Sequence, residues 1–475
     1  MKRITFILIL WSGFFNICQG QISSGLLKGD IYQNNAVNPA YFPASRWMIS
    51  VPVLSGTSFN YNNRLSYSDA ISKLDNGVNQ VNFNNILRNL KEKNFIGLHT
   101  RVNLLFVGYR RNQAAISFFV NERIEADLFF PKDLVDFGIN GNLNFTGREL
   151  NLRKLRGNAT HYREMGVGYT YFDKESRFSV GYRLKLLSGF YNASTPNNFN
   201  ATLTTNADNF SLDIHVENAI FRNTEVYSNR NGTSFILSRN LGASLDIGAS
   251  YKLNEQLSIG FSITDLGFIS WKDGIDGRQL EDTNFTYGGV DIRNSDDLIE
   301  ALEDSISGRF NIIENYDEPY TTALPAIGNI TGSWHLNANS ELIATVIPRF
   351  VLGNVQMQYG AGISQKISRN LKVNLSANKL PQQNINLGAA LALYLGPIQI
   401  YGGTDRIIDY DLTTLRQFNY TFGINLALGR GKIKKTKAYS PSKFRLNGGE
   451  EIKVRGKDKI YLIIPKQKRK KPVNQ

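Results

Sequence analysis

Residues 417–428 alternate without a break. Phe418, Tyr420, Phe422, Ile424, Leu426 and Leu428 are apolar, and Asn419, Thr421, Gly423, Asn425 and Ala427 between them are small or polar. In an extended chain successive side chains point to opposite faces, so a period of two describes a strand with one apolar face. The pattern recurs at Leu241, Ala243, Leu245, Ile247, Ala249 and Tyr251, at Leu257, Ile259, Phe261 and Ile263, and at Val355, Met357, Tyr359, Ala361 and Ile363. It returns at Phe178, Val180, Tyr182, Leu184 and Leu186, and at Leu371, Val373, Leu375 and Ala377. Along the whole chain it predicts extended segments at 46–61, 95–110, 112–127, 141–153, 160–173, 177–191, 209–222, 239–253, 256–271, 325–337, 340–353, 355–367, 370–379, 384–395, 397–405 and 416–429.

Two architectures produce this alternation. In a soluble sandwich the apolar faces form a core. In an outer-membrane barrel they meet lipid, and the small and polar faces line the lumen. A segment length of about ten residues fits a tilted membrane-crossing strand. The interleaved residues are mostly Gly, Ser, Asn, Thr and Gln, and short turns such as Lys252–Gln256 and Ser368–Asn370 join neighbouring segments. Tyr and Phe gather near segment ends, as in an aromatic girdle. The expected fold is all-β, an antiparallel transmembrane β-barrel. Such barrels have even strand numbers. Fourteen is the expected number, with sixteen as the alternative.

Lys2 and Arg3 precede an apolar run from Ile4 to Phe15 and a small or polar stretch to Gly20. This is the pattern of a secretory signal peptide over 1–20, and the run is too short to span a bilayer. Cys18, the only cysteine, would leave with it, so no disulfide is required in an oxidising compartment. No later stretch has ~18 consecutive apolar residues. The expected location is the bacterial outer membrane.

The formal net charge is +14, but residues 430–475 hold 16 Lys or Arg against 3 Asp or Glu. The body is therefore close to neutral, and the basic character belongs to a tail at 431–475. A nucleic-acid-binding domain carries its charge on the folded part, so no nucleic-acid partner is expected. One reading of the tail is a solvated extension. The other is an electrostatic anchor, with Lys434, Lys435, Lys468, Arg469, Lys470 and Lys471 docking a periplasmic protein. Its Lys459–Ile464 stretch is suited to adding a strand to a partner's sheet edge.

Three insertions break the β rhythm. Ser68-Asp69 reads as a helix start in 68–92, where Phe83, Ile86, Leu87 and Leu90 share one face. Pro131 and Gly138 bracket a short helix, and Ser295 caps a third over 295–307. Residues 272–318 carry 13 acidic against 4 basic side chains. Asp296, Asp297, Glu300 and Asp304 there match no EF-hand spacing. The four histidines, His99, His161, His215 and His335, form no HExxH or zinc-type pattern. GxSxG and the phosphate-loop pattern are absent too. Neither catalytic activity nor a metal or other cofactor is expected, although a lumenal triad would be invisible to spacing.

The stretch Ile31-Tyr32-Gln33-Asn34-Asn35-Ala36-Val37-Asn38-Pro39-Ala40 carries an Asn-Pro-Ala element soon after the signal. It resembles the FadL-like fatty-acid transporter superfamily and its PorV relatives of type IX secretion. Thr264–Trp271 and Gly396–Asp405 resemble an uncharacterised branch of these barrels. The resemblance spans most of 21–430, and the tail departs from it. It implies a 14-stranded barrel over 46–430 with an N-terminal plug at 21–45 inside it, to which Asn35, Asn38, Pro39 and Ala40 belong. It also implies either passage of a small hydrophobic molecule across the outer membrane or a structural, secretion-associated role. Inward glycines such as Gly242, Gly248, Gly260, Gly360 and Gly362 leave lumenal room or allow close packing of the plug. Passage predicts a continuous apolar pocket beside residues 35–45, and a lumen packed solid with charged side chains counts heavily against it.

Overall fold

A computed structural model describes residues 25, 27, 30–74, 76–196, 198–225, 237–288, 312–407 and 412–430. The signal reading (1–20), the acidic positions 296–304, the helix expected at 295–307 and the tail with Lys434, Lys435 and Lys468–Lys471 lie outside the described residues.

Fourteen antiparallel strands close into a barrel. They are β1 (Trp47–Asn63), β2 (Lys93–Arg111), β3 (Ala114–Pro131), β4 (Arg156–Phe172), β5 (Phe178–Ser194), β6 (Asn240–Lys252), β7 (Leu257–Trp271), β8 (Ala326–His335), β9 (Ser340–Val351), β10 (Asn354–Lys366), β11 (Leu371–Lys379), β12 (Ile385–Leu395), β13 (Ile398–Thr404) and β14 (Gln417–Leu428). Neighbours in sequence are neighbours in the wall, and β14 closes on β1 with Trp47 opposite Leu428 and Tyr61 opposite Phe418. Closure satisfies every edge, which hydrocarbon demands because it offers no water to an open one.

Two of the sixteen predicted segments are not wall strands. Residues 141–153 form a short 3-10 turn and the three-residue strand Glu149–Asn151. Residues 209–222 hold the strand Leu212–Glu217 and the start of Ala219–Glu225. Glu149–Asn151, Asn200–Thr205, Leu212–Glu217 and Thr283–Tyr287 make a separate four-stranded sheet in the loops. Both segments alternate like wall strands, but Gly147, Phe210 and Asn218 adopt positive φ and interrupt them.

The alternation sorts the two faces. On β3 the exposed side chains are Ile116, Phe118, Ile124 and Leu128, whereas Ser117, Asn121, Arg123, Glu125 and Asp127 are buried. Outward apolar and inward polar residues are the mark of a membrane barrel rather than a sandwich. The turns after β2, β4, β6, β8, β10 and β12 are short and share an end with the start of β1 and the finish of β14. The other end carries the long loops, which face outward in such barrels.

Residues 64–92, between β1 and β2, hold two short helices, Tyr67–Ala70 and Phe83–Asn89. The first is capped by Ser66, not Ser68: the Ser66 Oγ accepts from Asp69 N–H, and the Ser66 N–H donates to Asp69 Oδ2 at 2.8 Å. Between β3 and β4 the helix Lys132–Asn140 runs past Gly138 and stops at Gly141, where φ is +71°.

Asp69 ties this end together. Arg416, at the foot of β14, donates to both of its carboxylate oxygens at 2.9 Å, and Asn89 Nδ2 adds a bond at 3.2 Å. Burial disfavours the Asp69 charge, but the Arg416 and Ser66 hydrogen bonds outweigh it and hold the carboxyl below its usual range. Asp69→Asn should cost this loop about 1 kcal/mol, read as faster tryptic cleavage after Arg64, Lys73 or Arg88 with the barrel intact. A depressed carboxyl stabilises at neutral pH and loses that contribution as pH falls through its lowered pKa. The wild-type loop should therefore open only in acid, below pH ~4.

Candidate functional site

Residues 30–43 lie against inward-facing positions of the wall. They begin with the 3-10 turn Tyr32–Ala36. Within it Asn35 satisfies nearby backbone groups through its short amide side chain. Asn35 Nδ2 donates to the carbonyls of Pro39 (3.0 Å) and Tyr41 (3.2 Å). Asn38 is fully buried. Its Nδ2 donates to the carbonyls of Ala249 on β6 and Phe261 on β7, both at 3.2 Å, and its Oδ1 accepts from Ala40 N–H at 2.9 Å. The Pro39 carbonyl accepts from Thr170 Oγ1 on β4 at 2.7 Å, and the Val37 carbonyl from Ser262 Oγ on β7 at 2.7 Å. Asn38-Pro39-Ala40 is thus a compact unit with its polar atoms turned onto three strands.

Three glycines make room for it. A Cβ on Gly181 of β5 would stand 2.1 Å from the Pro39 carbonyl oxygen, one on Gly248 of β6 2.1 Å from Asn38 Oδ1, and one on Gly260 of β7 2.1 Å from the Tyr41 hydroxyl. No side chain fits there, so the segment rests directly on bare backbone. Gly242 differs: its missing Cβ would strike the Phe268 carbonyl of the adjacent strand.

The other flank of the segment meets β1, β2 and the last strands. The Tyr32 ring stacks on Phe106 at 3.8 Å, and its hydroxyl donates to Asn103 Oδ1 at 3.1 Å. Gln33 Nε2 donates to Asn425 of β14 at 3.2 Å. Asp30 pairs with Lys372 of β11 at 2.7 Å, and its carbonyl accepts from Tyr394 and Gln399.

Beside Tyr32 the wall itself is irregular. β1 pairs with β2 through Trp47–Ile49 and again from Ser58 onward, with no pairs for residues 50–57. The register against β14 also shifts between Ser50 and Ser55 and between Ser55 and Thr57. Pro52 lacks an N–H for the ladder, and Val53 and Gly56 adopt positive φ of 64° and 73°. Val53 and Leu54 are left exposed on the outside. Directly inside lies a cavity of about 120 Å³ bounded by residues 32–37, Gly56, Asn103 and Phe106.

The sequence predicts a continuous apolar pocket beside residues 35–45, but this cavity has a mixed lining. Phe106, Phe119, Ile327 and Ile347 share it with Arg101, Arg123, Glu125, Arg183 and Arg349. The polar part belongs to a lumenal ion network. Arg123 reaches Glu125, Glu164 at 3.3 Å and Asp265 at 3.3 Å. Lys185 binds Asp246 at 2.7 Å and also Asp265. Arg349 of β9 grips both oxygens of Asp127 at 2.8 Å. With Arg101 and Arg183, five cations face the five carboxylates of Glu125, Asp127, Glu164, Asp246 and Asp265. The balance matters, because a buried charge without a partner is strongly destabilising. His99, Glu125 and Asp127 gather within 4.8 Å, but Arg349 occupies both Asp127 oxygens, so the group is an ion-pair cluster.

Sequence reasoning missed this network. The available signal was charge on one strand face, at Arg123, Glu125 and Asp127 and at Arg183 and Lys185. Asp265 lies in the Thr264–Trp271 patch. It takes a φ of +60° at a register shift in β7 and donates its N–H to Asp246 at 2.8 Å.

Outward apolar strands around a charged, occupied lumen define an outer-membrane β-barrel. The chain belongs to a family of unknown function (DUF5723), whose profile matches residues 39–405. No curated protein matches it. Solved structures similar to it include two toluene transporters and a FadL homologue. The Ralstonia pickettii toluene transporter TbuX is 10% identical, covering 87% of this chain and 100% of that one, with a TM-score of 0.41. A Pseudomonas aeruginosa FadL homologue is 12% identical over 87% and 97%, with a TM-score of 0.37. The Pseudomonas putida toluene transporter TodX is 9% identical over 87% and 96%, with a TM-score of 0.35.

The glycine bed gives a direct test. Gly248→Leu should expel Asn38 and remove its hydrogen bonds to β6 and β7. Amide exchange in residues 30–43 should then lose protection equivalent to about 1–3 kcal/mol, while β9–β12 keep theirs.

Proposed function

We propose that this barrel passes a small, mainly hydrophobic molecule across the outer membrane, with residues 30–43 as the plug and the irregular stretch of β1 as a side exit. The observation that carries the reading is the coincidence of the 50–57 break in the β1–β2 ladder with the cavity behind it. A straight route down the lumen meets the plug and ten paired charges, where an apolar solute gains nothing. A sideways route meets a wall already missing its ladder hydrogen bonds, with Val53 and Leu54 on the lipid side. The cavity is near the size at which an apolar void accepts benzene, ~150 Å³. Its mixed lining favours a compact body with one polar group. The hydrocarbon substrates named for TbuX and TodX agree with this class.

A reversible staple tests the route. A Cβ on Gly56 would stand 3.3 Å from the Asn103 Cβ, close to disulfide spacing. In a Cys18→Ser background, Gly56→Cys/Asn103→Cys should lose at least ten-fold in uptake of labelled toluene or a fatty acid when oxidised, and recover on reduction. Uptake unchanged by oxidation, with the disulfide verified by mass, would refute the side exit.

A further inference from the structure

At the end of the barrel that carries the short turns, a cavity of about 180 Å³ opens between the β8–β9 turn and the β10–β11 turn. In such barrels this end faces the periplasm. Four cations, Lys366, Arg369, Lys372 and Arg430, and two carboxylates, Asp30 and Glu341, line it. Asp30 pairs with Lys372 at 2.7 Å, and Glu341 lies 3.7 Å from His335. Among the described residues, Lys366, Arg369 and Arg430 meet no carboxylate.

The ladder sharpens this imbalance. Lys366 lies directly opposite Lys372 in the β10–β11 pairing. Like charges in that position repel. The next inward pair, further from the turn, is Ser364 opposite Asn374. Both are buried, at 1% and 0% exposure. Ser364 lines the cavity, and neither its Oγ nor either amide atom of Asn374 has a hydrogen-bond partner among the described residues. Buried polar atoms left unpaired are costly, so two such side chains side by side call for a ligand or ordered water.

The turn and its neighbours gather the cations without neutralising them. Ser368 Oγ accepts the N–H groups of Asn370 and Leu371, both at 3.1 Å, and so shapes the turn that carries Arg369. Arg430 lies on the Tyr394 ring at 3.4 Å and donates to the Arg369 carbonyl at 2.5 Å.

An oxyanion answers all of these features. It separates the two lysines in charge, meets Arg369 and accepts from the Ser364 hydroxyl. The donors come from β10, from β11 and from the turn between them. A tetrahedral ion offers oxygens in several directions, whereas a carboxylate offers one edge. We propose that this mouth of the barrel binds a phosphate group, as the free ion or as an ester on a small molecule, between Lys366, Arg369 and Lys372 with Ser364 at its base. Asp30 opens the 30–43 segment, so the ligand competes with that segment for Lys372. The site does not depend on what the lumen passes.

Equilibrium dialysis of the full chain in a maltoside detergent, against labelled inorganic phosphate and separately against glycerol 3-phosphate, tests this. Wild type should bind one phosphate group per chain, saturably. Lys366→Gln and Arg369→Gln should each weaken binding about ten-fold, the worth of one charge-assisted hydrogen bond. Ser364→Ala should weaken it a few-fold, whereas Asp30→Asn, which releases Lys372, should tighten it. The basic residues of 431–475 are present in every variant, so phosphate held there would not respond to these substitutions. Heat-modifiable gel mobility verifies folding. Glycerol 3-phosphate binding with the same pattern of variants identifies an ester as ligand, and binding of inorganic phosphate alone identifies the free ion. No saturable binding of either, binding that Lys366→Gln and Arg369→Gln leave unchanged, or weaker binding by Asp30→Asn would each overturn the proposal.

Discussion

In hydrocarbon a peptide group finds no water, so every N–H and C=O of a membrane strand must be bonded within the protein. A closed ring of strands meets that demand, and its two faces then inherit opposite duties. The outside must be apolar. The inside, held away from lipid, is free to be polar, and here it is filled with amides, hydroxyls and charges. Ten charged side chains in the lumen would be a liability in an ordinary core. They are tolerable because each cation meets a carboxylate and the wall fixes their positions from β2, β3, β4, β5, β6, β7 and β9.

The same demand makes the β1 irregularity informative. Residues 50–57 forgo ladder bonds to β2, and side chains stand in for part of the deficit. Ser50 Oγ accepts the Phe106 N–H at 2.6 Å, and Thr57 Oγ1 donates to the Val53 carbonyl at 2.6 Å. The wall is patched by side chains at the point where Tyr32 and Phe106 stack. Side-chain patches are easier to exchange than a continuous ladder, so this is a weak line between β1 and β2.

The period of two made most of the wall readable, because a strand between lipid and lumen has no other way to sort its residues. It misled at 141–153 and 209–222, since a small loop sheet with one covered face alternates just as a wall strand does. Only the positive-φ residues that break those segments distinguish them, and Phe210 and Asn218 do not advertise that conformation as Gly does. Asn35, Asn38, Pro39 and Ala40 could be picked out as a motif, but their hydrogen bonds to Ala249 and Phe261 could not. The ion network was hidden for a related reason. Arg349 and Asp127 are 222 residues apart, and only closure of the ring brings them together.

Gln33 bonds to Asn425, 392 positions away, next to the seam where β14 meets β1. The opposite flank of the same short segment rests on Gly181, Gly248 and Gly260. The segment is therefore gripped by strands from the beginning, the middle and the end of the chain. It bridges wall positions that only closure of the ring brings to their final separation. Contacts of such long sequence separation make slow steps, so the final seating of this segment is tied to the meeting of the first and last strands.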